Sequence, residues 1–159
     1  MIAVALMLAA PQMLGTEAAR CTGGGAQIEV AVTGLKDRRG NLKLELYPAN
    51  EADWLKDDRD LVAQGKPFRR VQVPTPANGA IQLCIRAPQA GRWALLFTHD
   101  RDGKNKFNIW QDGMGVSSNQ KIGRAKPNYT AALVDVGANG TSLTIRAQYV
   151  KIPAGFVPL

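Results

Sequence analysis

Apolar and polar residues alternate with a period of two along most of this 159-residue chain. The segment QIEVAVTG places Ile28, Val30 and Val32 on one face of an extended chain, and LKLELYP repeats the pattern with three leucines. A period of two is typical of strands that bury one face, and neither a heptad repeat nor a glycine period competes with it. The alternation therefore predicts β-structure and excludes a coiled coil and a collagen-like repeat.

Seven segments have the properties of strands, and residues that form turns separate them. RWALLFT is apolar on both faces, as expected of a central strand. KDRRGN predicts a hairpin between the first two strands, and GANGT predicts another before the last strand. Residues 51–64, EADWLKDDRDLVAQ, break the alternation and predict one short helix. The predicted strands are QIEVAVTG, LKLELYP, FRRVQVP, AIQLCIRA, RWALLFTH, YTAALVDV and TSLTIRAQYV.

These elements predict an all-β fold in a chain whose length suits one domain. About seven strands with one short helix indicate an antiparallel β-sandwich of immunoglobulin or transthyretin type. A small barrel is the alternative. Neither an internal repeat nor a linker rich in Pro, Gly or Ser divides the chain.

The chain opens with an apolar run, IAVALMLAAPQML, followed by small residues. The run is shorter than the roughly 20 residues that a membrane-spanning helix needs, but it suits the core of a signal peptide. We predict that residues 1–19 are a cleaved signal peptide, cut after Ala18 or Ala19, and that residues 20–159 form a single domain without a transmembrane segment. No basic residue precedes Arg20, so the alternative is a buried first strand or helix.

Removal of residues 1–19 would leave 20 Lys and Arg against 12 Asp and Glu, a net charge of +8. Such a basic protein favours anionic partners, and for an exported chain these would be anionic components of the cell envelope. The basic residues are dispersed and are not interleaved with aromatic residues, which argues against specific nucleic-acid binding. We expect a periplasmic or extracellular location.

The chain has two cysteines, Cys21 and Cys84, and in an oxidising compartment we expect them to form a disulfide. In AIQLCIRA the isoleucines and Leu83 share one strand face, so Cys84 points to the other face. The bridge should therefore lie on the outside of the sheet and tether the N-terminus. The spacing fits neither a CxxC redox pair nor a zinc site.

One long segment, from His99 to Asn128, follows the predicted central strand without strand periodicity. A loop of about 30 residues in a compact domain is usually functional or disordered, and the Asp, Asn and Gly residues of this one favour order. We therefore expect residues 99–119 to be the functional loop. Its candidate residues are His99, Asp100, Asp102, Gly103, Asn105, Asn108, Asp112, Gly113, Gly115, Ser117 and Asn119.

The loop begins with D-R-D-G-K-N, which resembles the start of a calcium-binding loop. Candidate ligands for a weakly bound calcium ion are Asp100, Asp102 and Asn108. Lys104 stands where an oxygen ligand is needed, and the glycine at the sixth position and the glutamate at the twelfth are missing. In the alternative interpretation the Asp and Asn side chains only cap backbone groups in turns, and the protein takes no cofactor.

His99 is the only histidine, and serines and carboxylates follow it in the loop. An alternative function is therefore a hydrolase that acts on an envelope polymer through His99 and a carboxylate. The chain lacks a G-x-S-x-G nucleophile elbow, and its spacing isolates no pair of carboxylates of the glycosidase type. We assign no catalytic residue.

The run ALLFTHDRDGKNKFN, then DGMGVSSN, KPNY and a last strand ending in QY, resembles the bacterial family called domain of unknown function 2141. Its members have a signal peptide, a β-sandwich, an H-D-x-[ND]-G-[ND] loop and an E-G-[YF]-G-[FV]-S-N stretch. His99, Asp100, Asp102 and Gly103 match the first motif, from which Lys104 departs. Residues 112–119 match the second in part. The resemblance implies an exported β-sandwich, and it implies no activity.

These features together predict a non-catalytic binding or structural module of the cell envelope that uses the loop 99–119.

Overall fold

The computed structural model describes residues 13–14 and 21–159, which form two β-sheets and two hydrophobic clusters. In spatial order, the four-stranded sheet contains β1 (Met13–Leu14), β5 (Ile81–Arg86), β2 (Gln27–Thr33) and β9 (Thr141–Arg146). The seven-stranded sheet runs β11 (Gly155–Pro158), β10 (Gln148–Lys151), β7 (Gly113–Val116), β6 (Gly91–Asp100), β3 (Asn41–Pro48) and β4 (Arg69–Pro74), and β8 (Leu133–Val136) pairs with the start of β6. The helix α1 (Asp58–Ala63) and two 3-10 turns, Glu51–Asp53 and Thr130–Ala132, complete the elements.

The all-β fold class and its sandwich arrangement are confirmed. Alternate residues of β2, β3, β5 and β6 meet in one core between the sheets, with Ile28, Leu44 and Phe97 fully buried. These are the positions that the period of two places on inward faces. Pairing is antiparallel except where β9 joins β2 and β1 joins β5, both in parallel.

The two predicted hairpins are wrong, because each turn carries the chain from one sheet to the other. β2 pairs with β5 and β9, whereas β3, which follows it, pairs with β4 and β6. GANGT likewise joins β8 in the large sheet to β9 in the small one. Turn residues reverse the chain without determining which strand becomes the neighbour.

β6 is central and is buried on both faces, as its sequence predicts. Its inward residues join the main core, and its outward Ala94 and Leu96 pack in a second cluster with Tyr47, Leu61 and Val116. Leu61 comes from α1, so the helix covers this part of the outer face of the seven-stranded sheet. The short helix is confirmed, although it is confined to the second half of the predicted segment.

Two segments contain strands that the sequence pattern does not separate. The predicted last strand divides at Ala147 into β9 and β10, which enter different sheets. The long loop contains β7, which pairs with β6 and leaves residues 101–112 as the connection. A Cβ added at Gly113 would lie 2.5 Å from the Tyr149 ring, and one at Gly115 would lie 2.4 Å from Ile145 Cγ2. These glycines leave room for large neighbours on the inner face of β7. Because they have no side chains, the segment lacks the alternation of apolar and polar residues that predicts a strand.

Cys21 and Cys84 form the expected disulfide, with a Cα–Cα distance of 6.3 Å. Cys84 lies between inward Leu83 and Ile85 on β5, so the bridge is on the outer face of the small sheet, where it is buried. The predicted signal peptide lies outside the described residues except for β1, which lies beside β5. Within the described ranges, no helix has the length and apolarity to cross a membrane.

Candidate functional site

The outer face of the seven-stranded sheet carries a groove with a volume of about 880 Å³. Its floor consists of outward residues from three adjacent strands, and the inward neighbours of those on β3 and β6 belong to the main core. These floor residues are Lys43 and Glu45 of β3, Leu96 and Thr98 of β6, and Met114 of β7. The groove therefore begins where the second hydrophobic cluster around α1 ends.

Chain segments with little regular structure form the walls of the groove: residues 105–109, 123–127 and 152–156, with residues 55–59 at the side of α1. Hydrogen bonds connect these walls to the rest of the domain. The buried Gln148 accepts from Ile122 N at 2.9 Å and donates to Gln120 O at 2.8 Å, and Trp54 Nε1 donates to Pro127 O at 2.8 Å. Ligand sites are usually preformed concavities of this kind.

Gly155 joins two of these walls. The backbone groups of Gly123 and Phe156 exchange hydrogen bonds of 2.9 and 2.7 Å. Gly155 has a φ of +81°, and a Cβ added there would lie 2.2 Å from the Gly123 carbonyl. Glycine is therefore required both for the backbone conformation and for the close approach of the chains.

Each acidic side chain of the groove forms an ion pair with an arginine. Three basic side chains of the groove, in contrast, have no carboxylate partner in the described part of the chain. Glu45 and Asp58 both pair with Arg70, and Asp57 pairs with Arg59. The unpaired cations are Lys43, Arg124 and Lys126. The groove therefore has an excess of positive charge.

Lys43 is the most unusual of these cations because it is 7% exposed. Its ammonium donates to Asn105 Oδ1 at 3.0 Å, and an amide oxygen carries no compensating charge. An ammonium can donate three hydrogen bonds, and burial of a cation without a counter-charge is costly. Lys43 is thus suited to receive an anion that enters the groove.

The rim of the groove is apolar and partly exposed. Phe107, Ile109 and Ile152 are 42%, 49% and 72% exposed, and all three line the groove. The Phe107 ring also packs against Phe156, with ring centroids 5.9 Å apart. Clustered exposed apolar side chains around a concavity are typical of a binding surface.

A group of three carboxylates lies beside this groove, at the end of β6 and the start of β7. Asp100, Asp102 and Asp112 each offer an oxygen within 4.8 Å of the others. Asp100 and Asp112 are both buried at 1% exposure. Asp112 accepts from Arg101 N and Asn108 N, both at 2.8 Å, while Asp102 Oδ1 accepts from Lys104 N at 3.0 Å.

Asp100 differs from the other two carboxylates in having a buried oxygen without a partner. Its Oδ2 accepts from Asn105 N at 3.0 Å, whereas its Oδ1 has no hydrogen-bond partner among the described residues. Arg101, which is adjacent, pairs instead with Asp37 and donates to Gln111 O at 2.7 Å. No ion pair in residues 21–159 involves any of the three carboxylates.

His99 is fully buried and both of its ring nitrogens are engaged. Nε2 lies 2.7 Å from Arg39 O, and Nδ1 lies 2.7 Å from Tyr149 Oη, which accepts from Lys36 N at 3.0 Å. A carbonyl only accepts, so Nε2 carries the proton and Nδ1 accepts from the tyrosine. Burial lowers the pKa of His99 and raises that of Tyr149 to about 12, which keeps both groups neutral. His99 does not line the groove.

Asp37 completes the surroundings of His99. One of its oxygens lies 4.0 Å from His99 Nε2, and the other accepts from the Arg101 guanidinium. The hydrogen bond from Arg101 lowers the pKa of Asp37. Arg101 and Asp37 thereby connect the start of the 101–112 connection to the turn after β2.

The remaining predicted loop residues hold the chain in place. Asn108 Oδ1 accepts from Trp110 N at 3.0 Å, and Asn108 N donates to Asp112, the carboxylate that lies with Asp100 and Asp102. Ser117 Oγ donates to Leu133 O at 2.8 Å, and Asn119 bonds Thr144 O and Arg146 N at 2.7 and 2.8 Å. Gly103 and Asn105 adopt positive φ angles within the turn.

Sequence reasoning did not find the floor of the groove. Lys43 and Met114 are not among the candidate residues, and neither is Phe107, although it lies in the candidate loop. The available signal was Leu96, because an apolar residue on the second face of a central strand requires something to cover that face. The segments that cover this face make contacts between residues far apart in the sequence, and the sequence pattern does not predict those contacts.

Comparisons with known proteins find a family but no characterised relative. The model of the family DUF2141, described as an uncharacterised protein conserved in bacteria, matches residues 30–144. No curated protein and no solved structure matches the chain. The matched range contains β3 to β8, the carboxylates and most of the groove.

Proposed function

The chain belongs to DUF2141, a family of uncharacterised bacterial proteins, and we propose that it is a non-catalytic module that binds a small anionic amphiphile in the groove. The occupant combines one phosphate or carboxylate with an apolar chain. The observation that carries this proposal is Lys43, a residue only 7% exposed on the groove floor, whose ammonium has no ion-pair partner among the described residues and lies in a groove also lined by Leu96 and Met114. An anion at Lys43 would supply the counter-charge that the described residues do not provide.

The dimensions and the surface chemistry of the groove support this occupant. A volume of about 880 Å³ is within the usual range of roughly 300 to 1,000 Å³ for small-molecule sites. Leu96 and Met114 on the floor, with Phe107 at the rim, offer apolar contact beside Lys43. Arg124 and Lys126 add positive charge at the wall and favour the approach of an anion.

The proposed source of the ligand is the bacterial envelope. We propose that the chain is exported to the periplasm or the cell surface, where anionic amphiphiles are abundant components. The disulfide between Cys21 and Cys84 supports an oxidising compartment. The charge of the processed chain supports an anionic partner.

Binding is tested by calorimetric titration with three probes below their micelle concentrations: decyl phosphate, decyl maltoside and inorganic phosphate. We expect decyl phosphate to bind at least tenfold more tightly than either of the others, because only this probe satisfies both Lys43 and the apolar floor. Equal binding of the two decyl compounds would contradict the assigned role of Lys43. Absence of any heat with decyl phosphate would refute the groove as its site.

Matched lysine variants locate the anion. Lys43→Gln removes the charge on the groove floor, and Lys36→Gln removes one from an exposed side chain that does not line the groove. We expect about a tenfold or greater loss of decyl phosphate affinity in Lys43→Gln, as for a charge-assisted hydrogen bond, and little change in Lys36→Gln. Similar losses in both variants would indicate attraction by net charge alone.

The hydrolase alternative has less support from the geometry. Its proposed base, His99, has both ring nitrogens bonded inside the domain and is fully buried. A general base must reach the proton that it removes. We therefore retain a binding role as the proposal.

A further inference from the structure

We propose that Asp100, Asp102 and Asp112 form a calcium site, separate from the amphiphile-binding role of the groove. Three carboxylate oxygens within 4.8 Å of one another, two of them from buried residues, are ligands of the kind that a hard divalent cation prefers. An acidic cluster alone would not carry this assignment. The second observation is the buried Asp100 Oδ1, which has no hydrogen-bond partner in the described part of the chain.

None of the three carboxylates forms an ion pair in the described part of the chain. Buried like charges repel strongly, and buried charged groups are normally paired or bound to a metal. Arg101 directs its guanidinium to Asp37 and Gln111 O and donates its backbone N–H to Asp112, on which its charge acts without forming an ion pair. Lys104 also contacts the cluster through its backbone N–H, to Asp102, while the residue itself is exposed. A bound cation would supply both the missing charge and a partner for Asp100 Oδ1.

The existing hydrogen bonds are compatible with ligation. Each carboxylate oxygen has two lone pairs, so an oxygen that accepts one N–H can still face a metal. The N–H bonds to Asp112 and Asp100 fix these side chains before any ion arrives. Calcium is the cation that we assign, because it takes oxygen ligands in flexible geometry and accepts water in the remaining positions, whereas magnesium demands a near-ideal octahedron.

The structure also explains how a loop that departs from the calcium-loop pattern could hold the ion. The third carboxylate comes from Asp112 at the end of the connection, adjacent to Gly113 of β7. The oxygen that Lys104 fails to supply is thus replaced from the returning strand. Calcium would close the 101–112 connection at its two ends, beside the groove wall formed by residues 105–109.

The test uses calcium chloride alone, added to the oxidised full chain and followed by calorimetry and thermal melting against a chelator. We expect saturable heat and, at about ten times the dissociation constant, a rise in melting temperature of roughly 3 to 6 °C. Magnesium at the same concentration should give a smaller rise. A chain without heat up to 10 mM calcium and with identical melts would overturn the proposal.

Variants assign the heat to the cluster. Asp102→Asn removes charge at the most exposed ligand and keeps an acceptor for Lys104 N, and Asp100→Asn alters the unpartnered oxygen. Asp135→Asn is the control, since Asp135 is an exposed carboxylate that pairs with Arg92. We expect at least a tenfold loss of calcium affinity in the first two variants and none in the control. An equal loss in all three, or none in any, would also overturn the site; circular dichroism verifies that Asp100→Asn folds.

Discussion

His99 and Asp100 are adjacent in sequence and both are buried, yet their hydrogen bonding differs. The imidazole of His99 has a partner at each nitrogen, whereas one oxygen of Asp100 has none in the described residues. The sequence indicates that this loop is rich in polar groups, and it names Asp100 and Asp102, which lie close together in the structure, as candidate ligands. It also names Asp112 as a loop candidate but proposes Asn108 as the third ligand, because the position of Asp112 beside the other two carboxylates depends on the pairing of β7 with β6.

The neutrality of His99 makes stability depend on pH in a defined window. Its pKa in the folded protein is lowered by burial from the ordinary value of 6.5, so as the pH falls the unfolded chain takes up a proton first. We expect the free energy of unfolding to decrease as the pH falls from about 7 to 5, by at most about 1.4 kcal/mol per pH unit. Urea unfolding at successive pH values measures this slope.

The chain has one histidine, which makes the control simple. His99→Gln should unfold more readily at pH 7 and should lose most of the slope between pH 7 and 5. Carboxylates titrate mainly below this window, so Asp37, whose pKa is lowered, should contribute at more acidic pH. An unchanged slope in His99→Gln would show that another group is responsible.

At the scale of elements, β7 shows where pattern reading fails. Strands with alternating large apolar residues were predicted from the sequence, but GMGV has glycine at both inward positions. Tyr149 and Ile145, which belong to later strands, occupy the space that side chains at Gly113 and Gly115 would need. The core beside β7 is therefore filled by side chains from distant parts of the sequence, and the local pattern of apolar residues does not predict this strand.

Gly115→Ala tests this close packing. The new methyl group would collide with Ile145 Cγ2, and we expect a loss of about 1 to 3 kcal/mol in the free energy of unfolding, as for other overpacked cores. Gly137→Ala is the matched control, because its nearest neighbour would be a backbone oxygen at 3.6 Å, an ordinary contact. Chemical denaturation of both variants measures the difference, and equal stabilities would contradict this account of β7.

At the scale of the whole molecule, the fold class follows from the sequence, whereas the partition of strands between sheets does not. The turn after β2 and the turn before β9 look like hairpin turns, but each crosses between the layers. A local turn signal records only a change of direction. The groove depends on the same partition, since its floor and walls come from segments throughout the chain.

The disulfide acts at this scale as well, because it joins positions 63 residues apart. On the chain-entropy model, closing such a loop stabilises the folded state by about 4 kcal/mol. We expect reduction to lower the urea midpoint accordingly. A Cys21→Ala, Cys84→Ala double variant should be insensitive to the reductant, and an unchanged midpoint on reducing the natural chain would show that the bridge contributes little.

The parallel pairing of β2 with β9 has a consequence for the order of assembly. Ile28 lies opposite Thr141, so the pairing of β2 with β9 cannot form until residue 141 and those after it have been synthesised. Folds dominated by such distant contacts have high contact order, and they fold in milliseconds to seconds rather than microseconds. Until then β2 has an unsatisfied edge that can pair with other chains. We therefore expect the unpaired edge of β2 to make association with other chains more favourable until the C-terminal strands are available.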